Sequence, residues 1–328
     1  MSAPKIPLNF FGIPFGLAGL GEAWEMSAHQ HHSPELIAEI ILTISALAWL
    51  AVLGAYLRHL AADPAVLGRD LLDPIAAPFA SLALITPMLL ASAGLYPHAA
   101  SAGQVVTDLF VVLTVLLGGW FTGQWIYGPV DLDSFHPGYF LPTVAGGLIG
   151  SAATATVGQH RLAEVMFGLG LVCWIVLGSV ILGRLLFRPM LPPPLRPTLA
   201  IEVAPAAVAS LAWFAMHSAR IDLAGATLAG YGLLMVIAQL RLLPMYLRLP
   251  FMPSTWAFTF SWAAVATVAL VWLQDGRFTG YRIVQYLVLA AITLLIAGIG
   301  ARTVLALGRG QLLPRPAAAM PAQPAAAA

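Results

Sequence analysis

Ten apolar runs, each about long enough to cross the hydrocarbon core of a bilayer, take up nearly the whole chain. They cover residues 8–27, 35–60, 75–96, 102–126, 138–157, 161–187, 198–218, 222–245, 254–274 and 279–307. A spanning helix needs roughly 20 apolar residues. Backbone groups that cross lipid must be satisfied within the segment itself, which leaves helices or closed barrels. The runs are too long, and too little alternating, for strands. The fold class expected is therefore an all-α membrane protein with ten transmembrane helices. Composition agrees: 9% of the residues are charged, against about 25% in soluble domains. The formal net charge of +1 gives no reason to expect a nucleic-acid partner.

The connections at 28–34, 97–101, 158–160, 219–221 and 275–278 are short, so the runs pair as five helical hairpins. First members are rich in Gly, Ala and Pro: Gly12, Pro14, Gly16 and Gly19; Pro78 and Pro87; Pro142, Gly146, Gly147 and Gly150; Pro205. Second members are dominated by Leu, Val and Ile, with no proline in their apolar runs. Pro14, Pro87, Pro142 and Pro205 recur as a weak internal repeat, and Ser261 stands near the fifth position. Proline frees a backbone carbonyl and kinks a helix, which is tolerated against protein or a water-filled cavity. Small residues allow close backbone approach. The alternation predicts an inner ring of five kinked helices inside an outer ring of five straight ones. The competing reading is ordinary small-residue packing without a pore.

Within the ninth run, Trp256, Phe260, Ala263 and Thr267 share one helical face. This face reads as the wall of a narrow path with Phe260 projecting across it, or as a packing surface. Glu202 lies one turn inside the seventh run, as a protonatable group facing the path or as a first-turn carboxylate near headgroup water. Arg241 either snorkels to water or pairs with Glu202. Glu22 and Glu25 close the first run. His29, His31 and His32 form a histidine-rich loop that reads as solvated rather than metal-binding, so neither metal nor cofactor is expected. Cys173 reads as packing. No Walker loop, dinucleotide fingerprint, nucleophile elbow or HExxH pattern occurs, which excludes the enzyme and ATP-driven pump classes those motifs mark. Eleven basic residues (Lys5, Arg58, Arg69, Arg184, Arg188, Arg196, Arg241, Arg248, Arg302, Arg309 and Arg315) fall on the side of the termini and four on the other. That bias puts both termini in the cytoplasm. Residues 1–313 form a single transmembrane channel domain in this reading, and 314–328 an Ala/Pro-rich disordered tail.

The stretches FFGIPFGLAGLGEAW (10–24), HPGYFLPTVAG (136–146), IEVAPAAVA (201–209), GYGLLMVIAQLRLLP (230–244) and STWAFTFSWAA (254–264) resemble, in this order, the TehA-type tellurite-resistance and dicarboxylate transporter family. The plant guard-cell slow anion channels belong to the same superfamily. The resemblance implies a pseudo-fivefold pore in each subunit of a homotrimer in the bacterial inner (plasma) membrane. It also implies passage of small inorganic anions such as chloride and nitrate, and a phenylalanine gate falling on Phe260. Family pore glycines and prolines fall on Gly12, Pro14, Pro142 and Pro205. With the small or kinked inner positions Gly16, Pro87 and Gly146 and the face of Trp256, Ala263 and Thr267, these make up the expected pore lining, and Glu202 is its possible titratable modulator. The family's fungal branch implies the alternative: proton-coupled transport of dicarboxylates or oxyanions such as tellurite. Two departures stand out, Ser261 where plant members have proline and Glu202 where the bacterial pattern is apolar.

Overall fold

The computed structural model describes residues 6–128 and 130–312. Lys5, Arg315 and the 314–328 tail lie outside the described residues. Among those described there are eleven α-helices and no strand. They are α1 (Gly12–His29), α2 (Glu35–Ala62), α3 (Ala65–Leu72), α4 (Leu82–Leu90), α5 (Ala100–Tyr127), α6 (Gly146–Thr156), α7 (His160–Phe187), α8 (Ala204–Met216), α9 (Leu223–Tyr246), α10 (Ala257–Gly276) and α11 (Tyr281–Gly308). Eight helical stretches are long and apolar enough to cross a membrane by length and composition. The α1 segment and residues 137–156 are not among them; glycine, threonine and, in α1, Glu22 and Glu25 dilute their apolar character. The short α3 was not expected. It follows α2 directly and is fixed by a hydrogen bond from the Tyr56 hydroxyl to Asp70 (3.3 Å).

Each hairpin forms as the short connections predict: α1 packs on α2, α4 on α5, α6 on α7, α8 on α9 and α10 on α11. First members are the buried ones. The most apolar window of the Pro193–Met216 stretch is 78% buried, and that of Glu35–Ala62 only 17%. The five buried helices also touch in a closed cycle, α1 to α4, α4 to α6, α6 to α8, α8 to α10 and α10 back to α1.

Local geometry follows the same division. Every inner helix is entered through a 3-10 segment: Leu8–Phe11, Ala77–Ser81, Pro137–Phe140, Pro193–Val203 and Pro253–Trp256. These lead-ins touch in the same cyclic order, so the five inner N-termini gather at one end. Proline lacks an amide hydrogen and suits a helix start, and all five lead-ins contain or follow one. Pro14 and Pro205 lie in the first turns of α1 and α8, so neither kinks a continuous α-helix as the sequence reading expected. The departure from α geometry precedes them. Pro87 and Pro142 do disturb their helices: Pro87 sits inside α4 just before a π segment, Ala91–Leu95, and Pro142 within another, Leu141–Ala145. The proline-free expectation for the outer helices has one exception, Pro244 near the end of α9.

Small residues set the closest approaches. A Cβ placed on Gly147 of α6 would lie 2.5 Å from the Gly170 backbone of α7. The seam between first and last hairpins is stitched by polar groups. Gln285 donates to Gln30 (2.8 Å), both donate to the Leu270 carbonyl (3.3 Å each), and Trp24 donates to Thr293 (3.1 Å). At the lead-in end, buried His136 accepts from the Gly138 amide (3.1 Å), and its other ring nitrogen lies 3.3 Å from the Ile75 carbonyl. Burial, opposed by the Ile75 bond and assisted by the nearby Arg184 charge, pushes the His136 pKa down to about 4.

Two outcomes are expected. Gly147→Val should destabilise the protein by about 1–3 kcal/mol through overpacking, read as a lower unfolding temperature in detergent, whereas Gly168→Val, at a site with open space around it, should not. His136 is neutral when folded and charges more readily when unfolded, so its contribution to stability is lost as pH falls from about 6.5 toward about 4. The slope of unfolding temperature against pH in that window should be shallower in His136→Asn, which keeps a side-chain acceptor for the Gly138 amide.

Candidate functional site

A narrow cavity lies among the five inner helices, with free space of about 50 Å³. The residue immediately after each lead-in lines it: Gly12, Leu82, Leu141, Ala204 and Ala257. About one turn before or after that register, Asn9, Ser254 and Ser261 add hydroxyl and amide groups to the lining. No charged side chain reaches it.

Two aromatic rings stack within the lining. Phe260 of α10 and Phe15 of α1 both line the cavity, and their rings stack with centroids 3.8 Å apart and planes at 17°. Both are 5% exposed. Gly19 makes room for them: a Cβ there would lie 2.8 Å from Phe260 Cδ2 and 3.1 Å from the Ala263 methyl. Such ring pairs contribute about 0.5–1.5 kcal/mol beyond the area they bury.

Of the residues expected to line a path, Gly12, Pro205, Trp256 and Phe260 line this cavity. The others lie elsewhere. The Pro14 carbonyl accepts from Ser45 of α2 (2.7 Å). Gly16 is closed over by Thr259 and Trp256, and Ala263 faces Gly19. The Thr267 hydroxyl donates back to the Ala263 carbonyl (2.9 Å). Pro142 and Gly146 approach Gly118 and Thr114 of α5, and Pro87 lines a groove outside the cycle. Glu202 is buried in the Pro193–Val203 lead-in with Oε1 lacking any hydrogen-bond partner. Its neighbours Ile201 and Ala204 line the cavity and it does not. The lead-in that carries it packs against α9, where Gln239 donates to the Leu199 carbonyl (2.8 Å). Arg241 is exposed. His29 lies 3.8 Å from Glu25, while His32 packs edge-on to Tyr281, so the histidine loop is spent on separate partners.

Sequence reasoning missed Phe15, Gly19 and the recurring register. A signal for Phe15 was present: a large ring amid the glycines of FFGIPFGLAG is the same anomaly that singled out Phe260.

The comparisons with known proteins agree with this geometry. The family described as voltage-dependent anion channel matches residues 5–304. The tellurite resistance protein TehA homolog of Haemophilus influenzae is 27% identical over 282 residues, covering 86% of this chain and 85% of that protein. The S-type anion channel SLAH2 of Arabidopsis thaliana is 25% identical over 311 residues, 92% of this chain and 59% of the plant protein. The guard cell S-type anion channel SLAC1 of Arabidopsis thaliana is 22% identical over 280 residues, 80% and 49% respectively. The chain thus spans between about half and three-fifths of these plant relatives. With eight helical stretches fit to cross a bilayer and a family match over most of its length, this integral membrane protein belongs to the voltage-dependent anion channel family, whose members are channels rather than enzymes.

Proposed function

We propose that the protein is a passive channel for small monovalent anions such as chloride and nitrate, with ten transmembrane helices as five hairpins around a pore in each subunit. In this reading both termini are cytoplasmic, the subunits form a homotrimer, and the axial cavity is the closed pore. The observation that carries it is the stacked Phe15–Phe260 pair in a narrow cavity whose lining is mostly apolar and uncharged. A hydrophobic constriction of this kind blocks ions by excluding water. Anion preference comes from the five inner N-termini gathered at one end, where the helix dipoles are positive. A neutral lining favours anions that shed water easily over those needing a fixed cation.

The two rings share the work of closure. Phe260→Ala should raise anion current in a planar bilayer by well over tenfold, since it opens the constriction itself. Phe15→Ala should raise it less, because Phe260 then still crosses the axis without its stacking partner. An unaltered current from correctly assembled Phe260→Ala protein would overturn the gate.

One observation favours a second reading, proton-coupled transport of dicarboxylates or oxyanions such as tellurite: the buried Glu202 carboxyl has an oxygen with no hydrogen-bond partner. A coupled carrier would lose saturable, pH-driven uptake in Glu202→Gln. Because Glu202 does not line the cavity, the channel reading expects anion current to be unaffected by that substitution within about twofold, equivalent to less than about 0.5 kcal/mol.

A further inference from the structure

Outside the inner cycle, a groove of about 660 Å³ lies between α2 and the end of α4, over a floor that includes Pro87 and the π segment Ala91–Leu95, with Val106 of α5 at its edge. Its wall on α2 is a single helical stripe, Glu35, Glu39, Leu42, Ala46, Trp49 and Leu50. Spacings of three or four residues from Glu35 to Trp49, with Leu50 beside it, keep the stripe on one side of the helix. From Glu35 to Leu50 it extends about 22 Å at 1.5 Å per residue, more than the roughly 15 Å of hydrocarbon in one leaflet. The groove is deep because Ala46 on the wall and Ala91 and Gly94 on the floor leave space unfilled.

Its two ends differ in chemistry. The end near the α1–α2 connection is rimmed by Glu25, Glu35, Glu39, His29 and His98. His29 lies 3.8 Å from Glu25 and His98 3.6 Å from Glu39. Among the described residues Glu35 has no such partner. The rim therefore carries more carboxylates than histidines to offset them. The rest of the groove is walled by apolar side chains, flanked on the outer surface by exposed Leu47 and Leu109. A helix face of that kind meets hydrocarbon in a membrane.

We propose that this groove holds one phospholipid with a primary-ammonium headgroup, its acyl chain lying along Leu42, Ala46 and Leu50. The ammonium donates hydrogen bonds to the rim carboxylates, charge-assisted pairs of the stronger class. A trimethylammonium headgroup cannot donate them, and an anionic headgroup is repelled. Buried methylenes of the chain add the apolar part of the affinity. The site lies outside the cavity of the inner cycle and does not depend on what passes through it.

The test uses the full-length protein reconstituted in vesicles of equimolar phosphatidylethanolamine, phosphatidylcholine and phosphatidylglycerol, extracted in mild detergent, with retained lipids counted by native mass spectrometry. Wild type should retain phosphatidylethanolamine over the other two by about tenfold, the effect of one charge-assisted hydrogen bond. Ala46→Trp, which fills the groove, should lose the retained lipid. Thr43→Trp does the same from an exposed wall position and keeps the test valid if the first variant fails to fold. Glu35→Gln with Glu39→Gln should retain lipid but lose the headgroup preference. Equal retention of all three lipids by wild type, or undiminished retention in a folded groove-filled variant, would overturn the proposal. So would a wild type that retains no lipid while Thr43→Trp breaks the oligomer, because the groove would then be a contact between copies of the chain.

Discussion

Hydrocarbon offers a backbone amide no hydrogen-bond partner, and the distribution of irregular geometry in this protein follows from that. The five outer helices run 24 to 28 residues without interruption. The 3-10 lead-ins and both π segments belong to the inner segments, where neighbouring helices shield them. The outer layer is thus the solvent in which the inner layer can afford to be irregular. That irregularity turns the first residue after each lead-in toward a common axis, which an uninterrupted helix would not arrange at the same height five times over.

The axial cavity is narrow because large and small side chains share its register. Gly12, Ala204 and Ala257 leave space, Leu82 and Leu141 take it up, and the Phe15 and Phe260 rings stack within the lining. Gly19 seats that pair: the space its side chain would need is occupied by the edge of the Phe260 ring. The rings are held by packing rather than by hydrogen bonds or charge, so their arrangement rests on the stacking contact and the walls behind it.

Much of the architecture was legible in the sequence, for reasons that also mark its limits. Run lengths and short connections gave the hairpins, and the Gly/Pro alternation separated buried from exposed helices before any contact was known. Phe260 stood out because a bulky ring is anomalous where its neighbours are small. Side-chain direction was not legible. Gly16, Pro142 and Gly146 were assigned to the passage because small residues and prolines mark close approach, yet helix against helix produces the same composition as helix against pore. The lead-ins were hidden for a related reason. Proline reads as a kink whether the chain before it is α-helical or 3-10, and only the structure separates the two at Pro14 and Pro205. Glu202 illustrates a third limit: one residue of rotation around a 3-10 segment separates it from Ile201, which lines the cavity while Glu202 does not.

The stitching between the first and last hairpins has a consequence for how the molecule is made. Gln30 and Gln285 are 255 positions apart, so their bond forms only when nearly all of the chain has been synthesised. Long-range closures of this sort come late. Phe15 and Phe260 meet across the same seam. Until the fifth hairpin arrives, the chain forms an open crescent of four hairpins, with the glycine face of α1 uncovered and Phe15 without its stacking partner. Closing the cycle and seating the ring pair are then one event, because the last hairpin to join is also the one that carries Phe260.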